Sequence, residues 1–396
     1  MCYNKYMQIC IYEDDHYVNL YPLTLTRPVF ELRCGASTLA ERIARYFPEA
    51  EIFYQCRPLL ASVYHEQYPD RRINHKISGE CLFINGRVLM NDALMQQMSE
   101  HSGGEFINQG VIVGFWNSVK PVKLDAETRM IKYPWDLVKY NGECLREDFD
   151  RNKSGHTQAT IYAGVHLVNA DAITIGEGSS IKPGVVLDAE HGPIMIGKHV
   201  QVMPNTVIEG PCYIGDHSVI KIGAKIYGST SIGPVCKVGG EVEGSIIQGY
   251  SNKQHDGFLG HSYIGEWCNL GADTNTSDLK NNYGPVSVTI NGAEINTGSL
   301  FVGLTMGDHS KSGINTMFNT GTVVGVCSNV FGGGFPPKVI PSYAWVDSPK
   351  ITLYKMDKAM QVANTVMARR KVTLGEKYNL LLQWIFEFAK DEHAKL

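Results

Sequence analysis

Ile196-Gly-Lys-His-Val-Gln-Val202-Met-Pro-Asn-Thr-Val-Ile208-Glu-Gly-Pro-Cys-Tyr-Ile214 sets an aliphatic residue on every sixth position, and the run continues through Ile220, Ile226, Ile232 and Val238. Six is a multiple of two, so these side chains could share one face of extended chain, yet no single strand runs that long. A helix would need steps of three and four, and Gly197, Gly215, Gly223, Gly233 and Gly239 weigh against one. What survives is a solenoid in which each six-residue segment forms a flat side, points its aliphatic residue inward and turns a corner. Three sides make a coil of about eighteen residues, stacked on the next at about 4.8 Å, the strand spacing.

The phase extends outward from this run. Ile175, Ile181 and Leu187 precede it, separated by the loop from Asp188 to Pro193. After Val238 the phase slips by two at Gly239-Gly240 and resumes as Ile246, Phe258, Ile264 and Leu270, with Asn252 replacing the aliphatic once. An echo follows at Met306, Phe318, Val324 and Val330, and the segment from Ser277 to Ser299 breaks the rhythm as a loop thrown out from the coil.

Three parts are expected. Residues 1 to about 150 alternate strand-like runs (Gln8–Tyr12, Ile52–Gln55, Cys81–Ile84, Val111–Phe115) with helix-like ones (Ser37–Arg45, Asn91–Ser99), which predicts an α/β layer domain. Residues 156 to 346 form the solenoid. From 353 to 396 the spacing of Met356, Met360, Ala363, Val366 and Met367, then Tyr378, Leu381, Leu382, Ile385 and Phe386, predicts helices. The methionines are expected to pack against the last coil, and Thr373-Leu-Gly-Glu376 has capping-box spacing before the second helix.

Composition narrows the function. The 396 residues are 43% hydrophobic and 19% charged with a net charge of −4, so no basic surface recommends nucleic acid or an anionic membrane. No stretch of about twenty apolar residues predicts membrane insertion. Ten cysteines without a CxxC predict reduced thiols, a cytoplasmic setting and no structural zinc.

The chemistry gathers late in the solenoid. Ser251-Asn-Lys-Gln-His-Asp-Gly257 places a lysine, a histidine and an aspartate where a coil corner should be bland, and an eighteen-residue coil sets His255 near Asp273. A histidine beside a carboxylate is the arrangement of a general base with its orienter. Asn281-Asn-Tyr283 nearby offers side chains for the hydroxyls or phosphate of a small polar substrate.

These residues resemble a family. Tyr250-Ser-Asn-Lys-Gln-His-Asp-Gly-Phe-Leu-Gly260, Ile264-Gly-Glu-Trp-Cys-Asn-Leu-Gly-Ala-Asp-Thr-Asn275, Leu279-Lys-Asn-Asn-Tyr283, Met306-Gly-Asp-His-Ser-Lys311 and Pro22-Leu-Thr-Leu-Thr-Arg-Pro28 are similar, in this order, to a divergent bacterial branch of the bifunctional family that makes UDP-N-acetylglucosamine. The resemblance implies a sugar-phosphate nucleotidyltransferase domain and a left-handed parallel β-helix that transfers acetyl from acetyl-CoA to glucosamine-1-phosphate. It also implies a homotrimer with the acyl-CoA between neighbours, and a nucleoside triphosphate with magnesium for the nucleotidyl step. Carried over by position, His255 is the catalytic base, with Asn269, Asn282 and Tyr283 as sugar ligands. Asp273 and Lys253 join the substrate site, Lys253 supplying a positive charge that the family places nearer Glu243.

The N-terminal part departs from that pattern. Tyr12-Glu-Asp-Asp-His-Tyr-Val-Asn-Leu-Tyr-Pro-Leu-Thr24 keeps the second half of the family's phosphate-cradling signature, but acidic or bulky residues replace its glycines and Asn19 its arginine. Arg87 stands at the magnesium-binding aspartate. Arg27 and Arg33 remain as phosphate contacts, and no metal position is assigned. Three readings follow: a bifunctional enzyme, an acyltransferase whose N-terminal domain only binds or regulates, and a trimeric scaffold.

Overall fold

Three parallel sheets carry the six-residue repeat. The computed structural model describes residues 7–117, 122–151, 159–347 and 350–394, so the expected domain boundary at 150 to 156 falls largely outside the described residues. One sheet of six strands runs from Thr160–Ile161 to Asn252–Lys253, a second from His166–Val168 to Phe258–Gly260, and a third of nine from Ile173–Ile175 to Val339–Ile340. In the third, Ile196 pairs with Ile214 and Ile214 with Ile232, one coil apart. The predicted column from Ile196 to Val238 is buried at every position.

Serines finish the corners. Ser218 Oγ donates to Gly233 O at 2.9 Å and accepts from Cys236 N at 2.9 Å, and Ser251 does the same for Gly265 O (2.8 Å) and Cys268 N (2.9 Å). Each hydroxyl thus satisfies one buried carbonyl and one buried amide that the turn leaves unpaired.

Between Val238 and Ile264 the expected phase is wrong by one residue, and from Ile264 through Leu270, Met306, Phe318, Val324 and Val330 it holds again. Ile226 pairs with Val242, Ile232 with Ile247, Val238 with Lys253 and Val242 with Leu259, so Ile247, Lys253 and Leu259 point inward rather than Ile246, Asn252 and Phe258. A one-residue shift exchanges the two faces of a strand. Hydropathy could not choose between Ile246 and Ile247, because Ile246 is buried too, against the N-terminal domain. The excursion after Thr276 is confirmed and carries a hairpin, Ser287–Ile290 with Ala293–Asn296.

The N-terminal domain is a seven-stranded sheet in the order Val122–Asp125, Gly104–Asn108, Val111–Trp116, Cys81–Asn85, Gln8–Tyr12, Glu51–Gln55, Arg72–Ile73. Its helices are α1 (Leu39–Ala44), α2 (Pro58–Gln67), α3 (Asp92–Glu100) and α4 (Pro134–Arg151), and α5 (Met356–Ala368) and α6 (Glu376–His393) end the chain. Thr38 and Glu41 form a capping box on α1. The box expected at Thr373 does not form: α6 starts after Gly375, and the Glu66 carboxylate of α2 accepts from Lys377 N at 3.2 Å instead. A carboxylate from another helix does there what a local cap would do.

The domains share a buried seam. Arg27 reaches Asp308 at 2.5 Å and Glu266 at 3.2 Å, and Thr26 Oγ1 donates to Asp308 at 2.9 Å. Gln248 accepts from Arg33 N (3.0 Å) and donates to Glu31 O (2.8 Å), and Asn141 on α4 accepts from Gly35 N (2.7 Å) and donates to Ser229 O (2.7 Å). Helix α6 closes the arrangement, with Leu381, Leu382 and Ile385 in one cluster with Leu60 and Val63 of α2 and with Val326 and Tyr343 of the solenoid. Met367 is buried in this cluster and Met360 packs partly against it. Replacing Arg27 with Met strands Asp308, which is fully buried. The expected loss is about 3–5 kcal/mol, the scale for breaking a buried ion pair on one side, read from urea denaturation against the wild type.

Candidate functional site

His255 stands on an exposed corner between Asn252–Lys253 and Phe258–Gly260. The chain builds this corner around a cation turned into the coil. Lys253, only 2% exposed, occupies an inward position, and its ammonium donates to Gly239 O at 3.1 Å and to the His255 carbonyl at 2.6 Å. The slip at Gly239-Gly240 makes the room: Gly240 has φ +71°, and a Cβ there would lie 2.6 Å from His255 O and 2.7 Å from Lys253 Nζ. Lys253 therefore does not offer its charge to an external substrate, as expected from the sequence, but fixes the main chain of the residue two positions on.

The expected neighbour of His255 is also displaced. Asn252 bridges Asn269, seventeen positions on, and Asp273 N donates to Asp256 O at 3.1 Å. The coil is one residue short here, so Ala272 rather than Asp273 lies next to His255. Asn269 sits beside Asn252 on the outer face of the same sheet, and Asn252 Oδ1 accepts from Arg370 at 2.8 Å. Asn282 and Tyr283 stand on the excursion, with Tyr283 71% exposed. A 380 Å³ hollow there is lined by Ser277, Lys280, Asn282, Asn319 and Lys338.

A histidine that bonds a carboxylate does exist, one corner further on. His261 Nδ1 lies 2.7 Å from Asp278 Oδ2, and Phe301 of the excursion stacks on the imidazole with ring centroids 5.0 Å apart. The pair is seventeen residues apart, the length of the shortened coil. Gly260 is required beneath it, because a Cβ there would come within 2.2 Å of Asp278 Oδ2. An eighteen-residue coil would set His261 beside Leu279 instead, which hides the pair in the sequence.

At the carboxyl ends of two central strands of the N-terminal sheet, Gln8–Tyr12 and Cys81–Asn85, an acid and an arginine face each other. Arg87, at the end of its strand, donates from Nε to Asp14 Oδ1 at 2.8 Å and from Nη2 to Asp14 Oδ2, while Asn85 Nδ2 donates to the same carboxylate at 2.8 Å. Burial alone would raise Asp14, but its bonds to Arg87 and Asn85 outweigh this and hold it below the usual carboxylate range. Glu13 is held by Arg57 at 2.7 Å and accepts from Val29 N at 2.9 Å. These acids do not fit a magnesium ion, since their oxygens already serve guanidinium and amide groups. A 300 Å³ hollow lies beside these strand ends, with His16, Asn19, Arg87, Gln109 and Lys132 on its walls. Arg27 and Arg33, expected as nucleotide contacts, line neither that hollow nor the strand ends but a cavity at the domain seam.

Burial lowers the Lys253 ammonium from 10.5 to about 8. Between these values the unfolded chain binds more protons than the folded one, so stability rises with pH across that window. Urea denaturation from pH 8 to 10 should show the wild type gaining roughly 1–3 kcal/mol relative to Lys253→Met.

Known proteins resemble the chain piecewise. Residues 9–157 match the model for sugar nucleotidyl transferases, and residues 193–228 match the bacterial transferase hexapeptide model of six repeats. The bifunctional protein GlmU of Methanococcus aeolicus is 31% identical over 212 residues, 53% of this chain and 44% of that protein. GlmU of Synechococcus elongatus is 30% identical over 210 residues, 47% of this chain and 42% of that protein. The chain thus matches less than half the length of these curated relatives. Among solved structures, UDP-N-acetylglucosamine acyltransferase from Campylobacter jejuni overlaps 59% of this chain and 96% of its own, at 12% identity and a TM-score of 0.31. The chain joins a segment that matches sugar nucleotidyl transferases to one that matches hexapeptide-repeat transferases, and its solenoid extends well beyond the matched repeats.

Proposed function

We propose that the chain is a bifunctional sugar-phosphate transferase, transferring acetyl from acetyl-CoA to the amine of an amino-sugar 1-phosphate such as glucosamine-1-phosphate on the β-helix, and a nucleotidyl group in the N-terminal domain to give a nucleotide sugar such as UDP-N-acetylglucosamine. The observation that carries the acetyl-transfer half is the corner at His255. A buried cation on the coil interior costs stability that an aliphatic residue would not, and here its bonds go to the main chain of the corner that presents an exposed imidazole. His255 would take the proton from the sugar amine as its nitrogen attacks the thioester carbonyl, and the CoA sulfur would leave with the C–S bond electrons. Asn269, Asp273, Asn282 and Tyr283 are the proposed sugar and phosphate contacts.

A homotrimer in the cytoplasm completes this reading. Ile222 and Ile314, 61% and 72% exposed, lie along the same corner, each two coils from His255. A neighbouring copy would cover them and bring its excursion toward His255.

A second reading of the base rests on the His261–Asp278 pair, where the carboxylate orients the imidazole as a base requires. Release of free CoA thiol from acetyl-CoA with glucosamine-1-phosphate separates the two. His255→Ala is expected to lower kcat by about a hundredfold or more, the usual scale for a lost general base, while His261→Ala and Asp278→Asn retain most of it. The reverse pattern assigns the base to His261, and no release from the wild type moves the protein toward a binding scaffold.

For the N-terminal half, the Arg87–Asp14 pair favours a second reading, acyl transfer alone with a binding or regulatory N-terminal domain. Pyrophosphate release from UTP with N-acetylglucosamine-1-phosphate and magnesium is expected of the bifunctional enzyme. Its absence, together with no rise in melting temperature on adding UTP and magnesium, would leave acyl transfer alone.

A further inference from the structure

A cavity of about 580 Å³ lies in the domain seam, and none of its lining residues belongs to either proposed reaction site. The N-terminal domain contributes Arg27, Glu31 and Arg33, α2 contributes Tyr64, and the solenoid contributes Tyr250 and Trp267. Its acids are already committed. Glu266 pairs with Arg27, Glu31 pairs with Arg71 and accepts from the Tyr64 hydroxyl, Glu41 closes the capping box of α1, and Glu66 caps α6. Burial holds Glu31 up at about 7, which further reduces the negative charge of the walls at neutral pH.

Arg33 is the exception. It is 8% exposed and lines the cavity, yet among the described residues no carboxylate pairs with it. Its guanidinium donates to Ala36 O at 2.6 Å and lies 5.4 Å from the Tyr213 ring centroid, and its Nε is buried without a hydrogen-bond partner. Arg27 Nη1 is likewise buried and unpartnered. A desolvated guanidinium with an unused donor is costly unless an anion completes it, and a planar guanidinium suits phosphate oxygens. Tyr250 and Trp267, stacked on each other with ring centroids 4.3 Å apart, add aromatic surface to the lining.

We propose that this seam cavity binds a small organic phosphate, its phosphoryl oxygens on Arg33 and Arg27 and its body against the Tyr250–Trp267 wall, so that occupancy ties the N-terminal domain to the solenoid. The site is separate from the reactions proposed above, and its test does not depend on them. Calorimetric titration of the full chain uses phenyl phosphate and inorganic phosphate as probes. One equivalent of phenyl phosphate is expected to bind, with at least tenfold weaker binding in Arg33→Met. Phenyl phosphate exceeding inorganic phosphate by tenfold identifies an organic ligand, and equal affinity identifies free phosphate and overturns the organic assignment. Without any anion, Arg33→Met should melt no lower than the wild type, because the substitution removes an uncompensated buried charge. A variant that melts several degrees lower, with no binding of either probe to the wild type at 10-fold millimolar excess, makes Arg33 a structural residue and overturns the proposal. Should Arg33→Met fail to fold, tungstate soaked into wild-type crystals decides the matter: an anomalous peak between Arg27 and Arg33 supports the site, and no peak there overturns it.

Discussion

Asp308 holds the two halves together. It is fully buried in the solenoid and accepts from Thr26, Arg27 and the Glu266 amide at once. A carboxylate taken out of water is tolerable only when its oxygens are met by donors, and here those donors come from both domains. Separation of the domains would leave either Asp308 or Arg27 desolvated or force both to rehydrate, so the seam resists partial opening. Around this point lie neutral hydrogen bonds through Gln248 and Asn141 and the apolar cluster of Leu20, Leu23, Leu32, Ile246 and Tyr263. The chain is better described as one body with three structural layers than as two domains on a linker.

The seam also explains where the unusual residues sit. Hydrophobic burial alone would place aliphatic side chains at every inward position of the coil. Lys253 breaks that rule beneath His255, and Arg33 breaks the rule that buried charges are paired. Both are local costs that packing does not require, and both lie next to a surface or cavity able to receive a ligand. At the ends of the central N-terminal strands the opposite has happened. Arg87 and Asp14 satisfy each other, leaving a site that is stable in its present form and poorly suited to a divalent cation.

The sequence made the architecture legible because the repeat is physical. An inward side must be aliphatic, and a flat side holds six residues, so Ile196 to Val238 reads almost as a diagram of the three sheets. The main N-terminal strands were legible for the same reason, through short β-branched and aromatic runs. The register of the one coil from Ile246 to Phe258 was not, because Ile246 and Ile247 are both apolar and only the neighbouring domain distinguishes them. Helix α4 has no clean aliphatic stripe to mark it, because its buried face mixes Leu137, Cys144 and Leu145 with Asn141, Gly142 and Asp148 where it lies between the N-terminal domain and the solenoid. His261 was hidden by a coil one residue shorter than its neighbours, and Arg27 and Arg33 were assigned chemistry without the seam that sets their surroundings.

The claim that the two halves form one cooperative body is tested most directly by native-state hydrogen exchange in increasing urea. Amides of the Gln8–Tyr12 strand and of the Ile246–Gly249 strand should lose protection together, at the same denaturant concentration and with the same dependence on it. Loss of protection in Gln8–Tyr12 while Ile246–Gly249 stays closed would contradict the account, and would return the protein to two independent domains.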